Sequence, residues 1–169
     1  MEIGLLRYPG AQLAAVHGLG DLFEVANRMA ADQGRQGVTR LRVSHWQAGE
    51  AGQLQRTFDS LPQTDGAPQV VILPPCLDDT AEQPLAACYR DWLREQHAAG
   101  VLLASVCAGA FALAEAGLLD GRTVTTHWAL AAQMAARFPQ VQVQPERMVI
   151  DDGDLITAGG LMAWTDLGL

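Results

Sequence analysis

The sequence predicts an α/β fold built on a doubly wound, mostly parallel sheet with helices on both faces. Short apolar runs alternate along the chain with segments of helical spacing, which is the pattern of a parallel sheet covered on both sides. The 169 residues and the hydrophobic content of 49% suit one domain with a substantial core. Because we find no internal repeat and no linker, we expect residues 1–169 to form a single domain.

The predicted strands are short, and several end at proline or glycine. Pro9-Gly10 closes the first strand and Pro74-Pro75 closes the strand at 69–73, since proline cannot continue a ladder of hydrogen bonds. Residues 49–68, rich in Gly, Gln, Pro and Asp, predict a short hairpin or loop. The remaining strands are predicted at 3–7, 38–46, 101–105 and 123–126, with two more in 147–160 joined by a turn at 152–153.

The intervening segments predict helices. Apolar residues recur at helical spacing between Gly18 and Asp32. The next helix is predicted at 84–99, with Pro84 near its first turn, where its missing N–H costs little. Further helices are predicted at 108–117 and 128–138, and a last one in 161–169 is expected to be cut short by the chain end.

Composition excludes several classes of function. The formal net charge of -8 disfavours direct binding to nucleic acid phosphates. The three cysteines show no CxxC or Cys/His cluster, so we expect neither a disulfide framework nor a metal site. No phosphate-binding glycine loop occurs, and we expect no cofactor. Without a signal peptide or a run of about 20 apolar residues, we expect a cytoplasmic protein with no membrane partner.

Ligands of doubly wound sheets bind beyond the carboxyl ends of the strands. Cys107, the segment 74–76 and the loop before Gly18 all fall at that edge of the predicted sheet. The convergence of these three segments predicts a small-molecule site there.

Cys107 lies in SVCAGAF at 105–111, between a predicted strand and a predicted helix. Small residues on both sides of the cysteine are typical of a nucleophile elbow. A helix N-terminus also favours the thiolate. A buried cysteine that merely packs at a strand end is the alternative, and the spacing alone leaves both interpretations open.

Longer motifs carry a family resemblance. The stretch SVCAGAFALAEAGLLDGRTVTTHWALA resembles the core of the ThiJ/PfpI superfamily, which has the class I glutamine amidotransferase-like, flavodoxin-like fold. YPG at 8–10, DLFEVANR at 21–28 and DGDLITAGG at 152–160 narrow the resemblance to the N-terminal sensor domain of GlxA-like, AraC-family transcriptional regulators. The resemblance implies a C-terminal helix-turn-helix domain, absent from this chain, through which alone DNA would be bound.

The resemblance also assigns site residues. Cys107 matches the elbow cysteine, and His127 in TTHW matches the histidine that follows it in many relatives. Asp21 falls on the acidic position of the first helix, usually a Glu, whose carboxyl tunes the acidity and oxidation of the sulfur. Aspartate is one methylene shorter, and the alternative, Glu24, should point elsewhere.

The loop after the strand at 69–73 departs from the enzymes of the superfamily. They carry a Gly-Gly pair whose N–H groups help to form an oxyanion hole, whereas this chain has LPPCLDD at 73–79. Pro74 and Pro75 have no N–H to donate, and the loss of one such donor typically lowers the rate about 100–1000-fold. Ala108 also stands where the protease-like branch has histidine, so amide hydrolysis is disfavoured.

The remaining expected ligand-binding residues surround the cysteine. We expect Pro75, Cys76, Ala108 and Trp128 to line the pocket, with Trp128 at its rim beside His127. A redox pair of Cys76 and Cys107 is a further alternative that demands strict geometry.

Three functions follow from these residues. The leading hypothesis is a homodimeric sensor domain of an AraC-family regulator that binds a small effector around Cys107, His127 and Asp21. The first alternative is a stand-alone cysteine hydrolase, isonitrile hydratase-like enzyme or glyoxalase-like lyase, in which Cys107 attacks and His127 or Asp21 moves the proton. The second is a redox sensor whose Cys107 sulfinate is held by Asp21. An amine or other nitrogenous effector is suggested by the relatives.

Overall fold

A computed structural model describes residues 1–33, 39–78 and 84–169. Its centre is a seven-stranded sheet in the order β3-β2-β1-β4-β5-β9-β8. The neighbours from β2 to β9 are parallel, and the edge strands β3 and β8 are antiparallel. The seven strands are β1 (Glu2–Leu6), β2 (Arg42–Ala48), β3 (Leu54–Asp59), β4 (Val70–Leu73), β5 (Leu102–Val106), β8 (Val149–Asp151) and β9 (Leu155–Ala158). β6 (Thr123–Val124) and β7 (Gln142–Val143) form a separate parallel pair.

Helices cover both faces of the sheet because each face carries its own apolar cluster. The helices are α1 (Leu13–Asp32), α2 (Ala87–Ala98), α3 (Gly109–Glu115), α4 (Ala131–Arg137) and α5 (Trp164–Leu167), and a 3₁₀ turn spans Trp128–Leu130. α1 and α5 pack on one cluster, and α2, α3 and α4 on the other. Within the described ranges, no helix is both long enough and apolar enough to cross a membrane.

The predicted doubly wound, flavodoxin-like fold is confirmed, and the differences are local. The segment 49–68 contains β3, which forms an antiparallel hairpin with β2. α1 begins at Leu13, five residues before the predicted Gly18, because Ala15 and Val16 pack against the sheet and extend the buried face of the helix. The predicted strand at 38–46 begins at Arg42, and its first residue lies outside the described part. β7 was not predicted.

Candidate functional site

Cys107 occupies the two-residue turn between β5 and α3. Its φ is 55°, and it is the one non-glycine residue with positive φ in the described part of the chain. Such a backbone conformation costs about 1–3 kcal/mol and persists only where the surrounding structure enforces it. The predicted strand–cysteine–helix turn is therefore present with the strained backbone that it requires.

Three contacts hold this turn in place. The amide of Cys107 donates to the Ala158 carbonyl oxygen at 2.7 Å, which continues the pairing of β5 with β9. The Thr126 hydroxyl donates to the Cys107 carbonyl oxygen at 2.8 Å. A Cβ on Gly109 would lie 2.7 Å from the Leu73 carbonyl oxygen, so only glycine allows the start of α3 to approach the end of β4.

The surroundings of Cys107 disfavour its thiolate. The residue is 5% exposed, and burial raises the pKa of its thiol. The Ala108 N–H lowers that pKa and nearby Cys76 raises it, and both effects are smaller than the effect of burial. The helix terminus thus supplies the expected N–H, but desolvation outweighs it.

The segment after β4 is bound to the loop that precedes α1. The Tyr8 hydroxyl donates to the Pro74 carbonyl oxygen, and the Gln12 amide donates to the Pro75 carbonyl oxygen at 2.7 Å. Cys76 forms an isolated bridge with Ala11. This loop therefore offers carbonyl oxygens, and neither proline can donate an N–H to an oxyanion.

Tyr8 and the two thiols lie close enough to influence one another. The pKa of the buried Tyr8 phenol is raised far above its ordinary value, first by burial and then by Cys76 and Cys107. Cys76 is partly exposed, and its Sγ lies 3.6 Å from the Pro9 carbonyl oxygen. The structure thus places Cys76 near Cys107, and a disulfide between them remains a prediction.

His127 precedes the 3₁₀ turn and caps it. Its Nδ1 accepts the Ala129 amide at 3.2 Å, and its ring centroid lies 5.4 Å from that of Trp128. Trp128 is 74% exposed. Thr126, rather than His127, makes the hydrogen bond to the cysteine turn.

Asp21 does not lie on the buried face of α1. The buried face of that helix consists of Ala15, Val16, Leu19 and Phe23, whereas Asp21 is exposed. Glu24 forms an ion pair with Arg28. No carboxylate is among the groups that shift the Cys107 pKa, so this structure does not bring an acidic residue of α1 to the sulfur.

A cavity of about 160 Å³ opens beside the cysteine turn, and we call it the elbow cavity. Ala108 and Phe111 contribute one wall, and Tyr8 and Pro9 contribute another. Its charged lining residue is Glu115, whose carboxylate accepts hydrogen bonds from the Leu85 amide at 2.5 Å and from the Arg137 guanidinium at 2.5 Å. The elbow cavity is thus mainly apolar, with one neutralised carboxylate.

Of the predicted site residues, Ala108 lines the elbow cavity. Cys107 lies in the adjoining turn and Pro75 and Cys76 in the loop after β4, but none of the three is among the lining residues. His127, Trp128 and Asp21 do not line this cavity either.

Tyr8 and Glu115 were not predicted from the sequence. The spacing of Phe111 and Glu115, four residues apart on one helix, is the signal that predicts a shared face. Among the residues that the structure describes, no group of three or more His, Cys, Asp or Glu side chains could hold a metal ion.

The sheet order and the helices on both faces define an α/β protein with a doubly wound, flavodoxin-like fold, and a strained cysteine turn lies at the carboxyl edge of its sheet. Residues 63–169 match the model of the DJ-1/PfpI family. The chain is also 30% identical over 138 residues to Protein dj-1beta of Drosophila melanogaster, an alignment that covers 78% of this chain and 72% of the relative. The chain belongs to the DJ-1/PfpI family.

Other relatives include regulators and an enzyme. The chain is 42% identical over 69 residues to the HTH-type transcriptional regulator CdhR of Pseudomonas aeruginosa, covering 41% of this chain and 20% of the regulator. It is 35% identical over 120 residues to the isonitrile hydratase of Pseudomonas putida, covering 67% of this chain and 46% of that enzyme. The chain thus spans a fifth of the regulator and about half of the enzyme.

Solved structures give the same fold. The crystal structure of an AraC family transcriptional regulator from Pseudomonas putida superimposes with a TM-score of 0.67 at 18% sequence identity, covering 99% of this chain and 88% of that chain. This similarity supports the fold assignment, and the chain is similar in sequence to part of several HTH-type transcriptional regulators.

Proposed function

We propose that this chain is the ligand-sensing domain of an AraC-type transcriptional regulator and that it binds a small molecule in the elbow cavity. The observation that carries the proposal is the state of Cys107, a strained, buried residue whose thiol pKa is raised by burial. Such a residue keeps the backbone turn of an elbow site, while burial disfavours the thiolate that a working nucleophile needs.

The groups around Cys107 support binding over turnover. A cysteine nucleophile needs a base and donors for the developing oxyanion. The Nδ1 atom of His127 is occupied by the Ala129 amide, and Pro74 and Pro75 have no N–H. Activation and transition-state stabilisation are therefore both weakened at this site.

The elbow cavity joins segments that are distant in sequence. Tyr8 and Pro9 precede α1, Leu85 precedes α2, and Phe111 belongs to α3. A ligand that contacts all three segments binds one arrangement of them better than another, and such a difference in affinity is what a signalling domain requires. We propose that a homodimer transmits this change to a helix-turn-helix domain that lies outside these 169 residues.

A cysteine-dependent enzyme is the second candidate. The positive φ of Cys107 and the similarity to an isonitrile hydratase favour it. On this alternative, Cys107 would attack the substrate carbon, and His127 would transfer the proton through its unoccupied Nε2. Incubation of the chain and of the Cys107→Ala variant with an alkyl isonitrile, followed by chromatography of the formamide product, separates the candidates. Formation of product that depends on Cys107 would replace the sensor proposal.

Thermal shift with a panel of small amines, including ethanolamine, choline and putrescine, tests the sensor proposal. We expect at least one amine to raise the melting temperature of the parent chain and of Cys107→Ala alike. Ala112→Leu fills the elbow cavity and should abolish the shift. Ala26→Leu, an exposed position on α1, is the matched control and should retain it. A shift that survives Ala112→Leu, or no shift with any amine, would contradict ligand binding in this cavity.

A further inference from the structure

A second cavity, of about 520 Å³, lies between α1 and the β2–β3 hairpin, and we call it the α1 cavity. Arg7 at the end of β1, His17 and Asp21 on α1, and His45 on β2 line it, and Phe58 closes one side. Neither Cys107 nor any residue of α3 contributes to its lining. The α1 cavity is therefore separate from the elbow cavity.

Four polar side chains face the α1 cavity without an internal partner. Within the described residues, the side chains of Arg7, His17, Asp21 and His45 make no hydrogen bond or ion pair. Their neighbours Asn27 and Ser60 are already engaged by backbone groups of Leu41 and Val43. A concave site with a few convergent polar groups is what a small-molecule site presents.

His45 is the most buried of these four side chains. It is 7% exposed, yet its ring nitrogens have no hydrogen-bond partner among the described residues. Its ring packs on Phe58 at 4.5 Å and lies 6.0 Å from that of His17. Since these nitrogens are not among the fully buried polar atoms that lack a partner and His45 lines the α1 cavity, a ligand in the cavity can complete their hydrogen bonds.

The charges around His45 indicate what the inner end of the cavity would bind. Burial first, then Arg7 and His17, lower the pKa of His45 to about 4, and no carboxylate counteracts them. His45 is therefore neutral at neutral pH and can donate one N–H, while Arg7 offers a two-pronged guanidinium. This pairing suits a carboxylate.

The other end of the cavity carries the opposite charge. Asp21 lies one helical turn from His17 on α1 and is exposed to the cavity mouth. A carboxylate is the natural partner of a protonated nitrogen. The cavity therefore presents a cation and an anion to the same ligand.

We propose that the α1 cavity is a second small-molecule site and that it binds a zwitterionic carboxylate, with the ligand carboxylate on Arg7 and His45 and its positive nitrogen directed to Asp21. Val43 and Phe58 supply apolar contact for the rest of the molecule. The inference goes beyond the proposed function, because it concerns a different cavity and does not depend on Cys107.

The test uses L-phenylalanine as the probe on the 169-residue chain, followed by amide chemical shifts in solution NMR. We expect saturable shifts of amides in 16–24 and 43–45 and none in 108–115. Phenethylamine lacks the carboxylate and 3-phenylpropionate lacks the ammonium group, and each should bind at least about tenfold more weakly.

Variants that remove single charges test which side chains bind the charged groups of the ligand. Arg7→Met and Asp21→Asn should each weaken binding about tenfold or more, and Arg7→Lys should weaken it less because the positive charge remains. Arg147→Met, at an exposed arginine far along the chain, is the matched control and should bind as the parent does. The inference is overturned if L-phenylalanine gives no saturable shift up to about 10 mM, if either single-charge analogue binds equally well, or if Arg7→Met has no effect. Shifts confined to 108–115 would also overturn it and would leave the elbow cavity proposal intact.

Discussion

Gly109 at the start of α3 lies so close to Pro74 that a Cβ on the glycine would be 2.8 Å from the Pro74 carbonyl oxygen. The contact joins the turn of Cys107 to the proline loop after β4. It is the reason that the elbow, the proline loop and the Tyr8 hydroxyl, which binds the same carbonyl oxygen, form one rigid unit.

Gly109→Ala should therefore destabilise the protein. The new methyl group meets backbone oxygens, which cannot move aside as a side chain can, and overpacking of this kind costs about 1–3 kcal/mol. Gly20→Ala is the matched control, since a Cβ there has nothing within 4 Å, and alanine in a helix should stabilise by about 0.5–1 kcal/mol. Urea denaturation of the two variants measures both effects. Equal stability of Gly109→Ala and the parent would show that the elbow and the proline loop are not in contact.

Glu115 should fix the segment that leads into α2. Its carboxylate accepts the Leu85 amide, and loss of a hydrogen bond to a charged group costs about 1.5–3 kcal/mol. In Glu115→Gln, we expect faster hydrogen exchange at the Leu85 amide. Glu146→Gln, at an exposed position, serves as the control. Unchanged protection of Leu85 in Glu115→Gln would show that another group holds this amide.

His45 should make stability depend on pH. Its folded pKa of about 4 lies below the ordinary histidine value of about 6.5, so the unfolded state takes up the proton first as pH falls. The stabilising effect is complete above about pH 6.5 and is lost as pH falls towards 4. Histidine C–H resonances followed by NMR should show His45 titrating near 4, and His45→Phe should flatten the stability profile over that window. A titration midpoint near 6.5 would contradict the burial of His45 beside Arg7 and His17.

Much of the fold could be predicted from the sequence because its signals are local. Each central strand is a short apolar run, and Pro9-Gly10 and Pro74-Pro75 mark two strand ends directly. The turn at Asp152-Gly153 joins β8 and β9 as its sequence predicts. α1 begins five residues before the predicted Gly18, because the burial of Ala15 and Val16 depends on the tertiary structure and leaves no local signal in the sequence.

The site was predictable in part. The small residues around Cys107 predict the backbone turn, because the conformation of a turn depends on the residues next to it in sequence. The direction of Asp21 depends on how α1 is rotated against the sheet, and the residues that set this rotation, Leu19 and Phe23, do so through distant strands. Tyr8 and Glu115 line the same cavity from separate parts of the chain, so no local sequence pattern joins them.

The acidity of Cys107 tests the central claim, that this cysteine forms a strained turn beside a binding cavity and is not an activated nucleophile. Cys76→Ser with Cys88→Ser leaves Cys107 as the single thiol, and its rate of alkylation by iodoacetamide against pH gives its pKa. We predict a midpoint above the ordinary thiol value of about 8.5, because burial disfavours the thiolate. Stability should correspondingly fall as pH rises above that value, since the unfolded state loses the proton first, and Cys107→Ala should remove this dependence. A midpoint well below 8.5, with rapid alkylation at neutral pH, would contradict the account and identify Cys107 as a nucleophile.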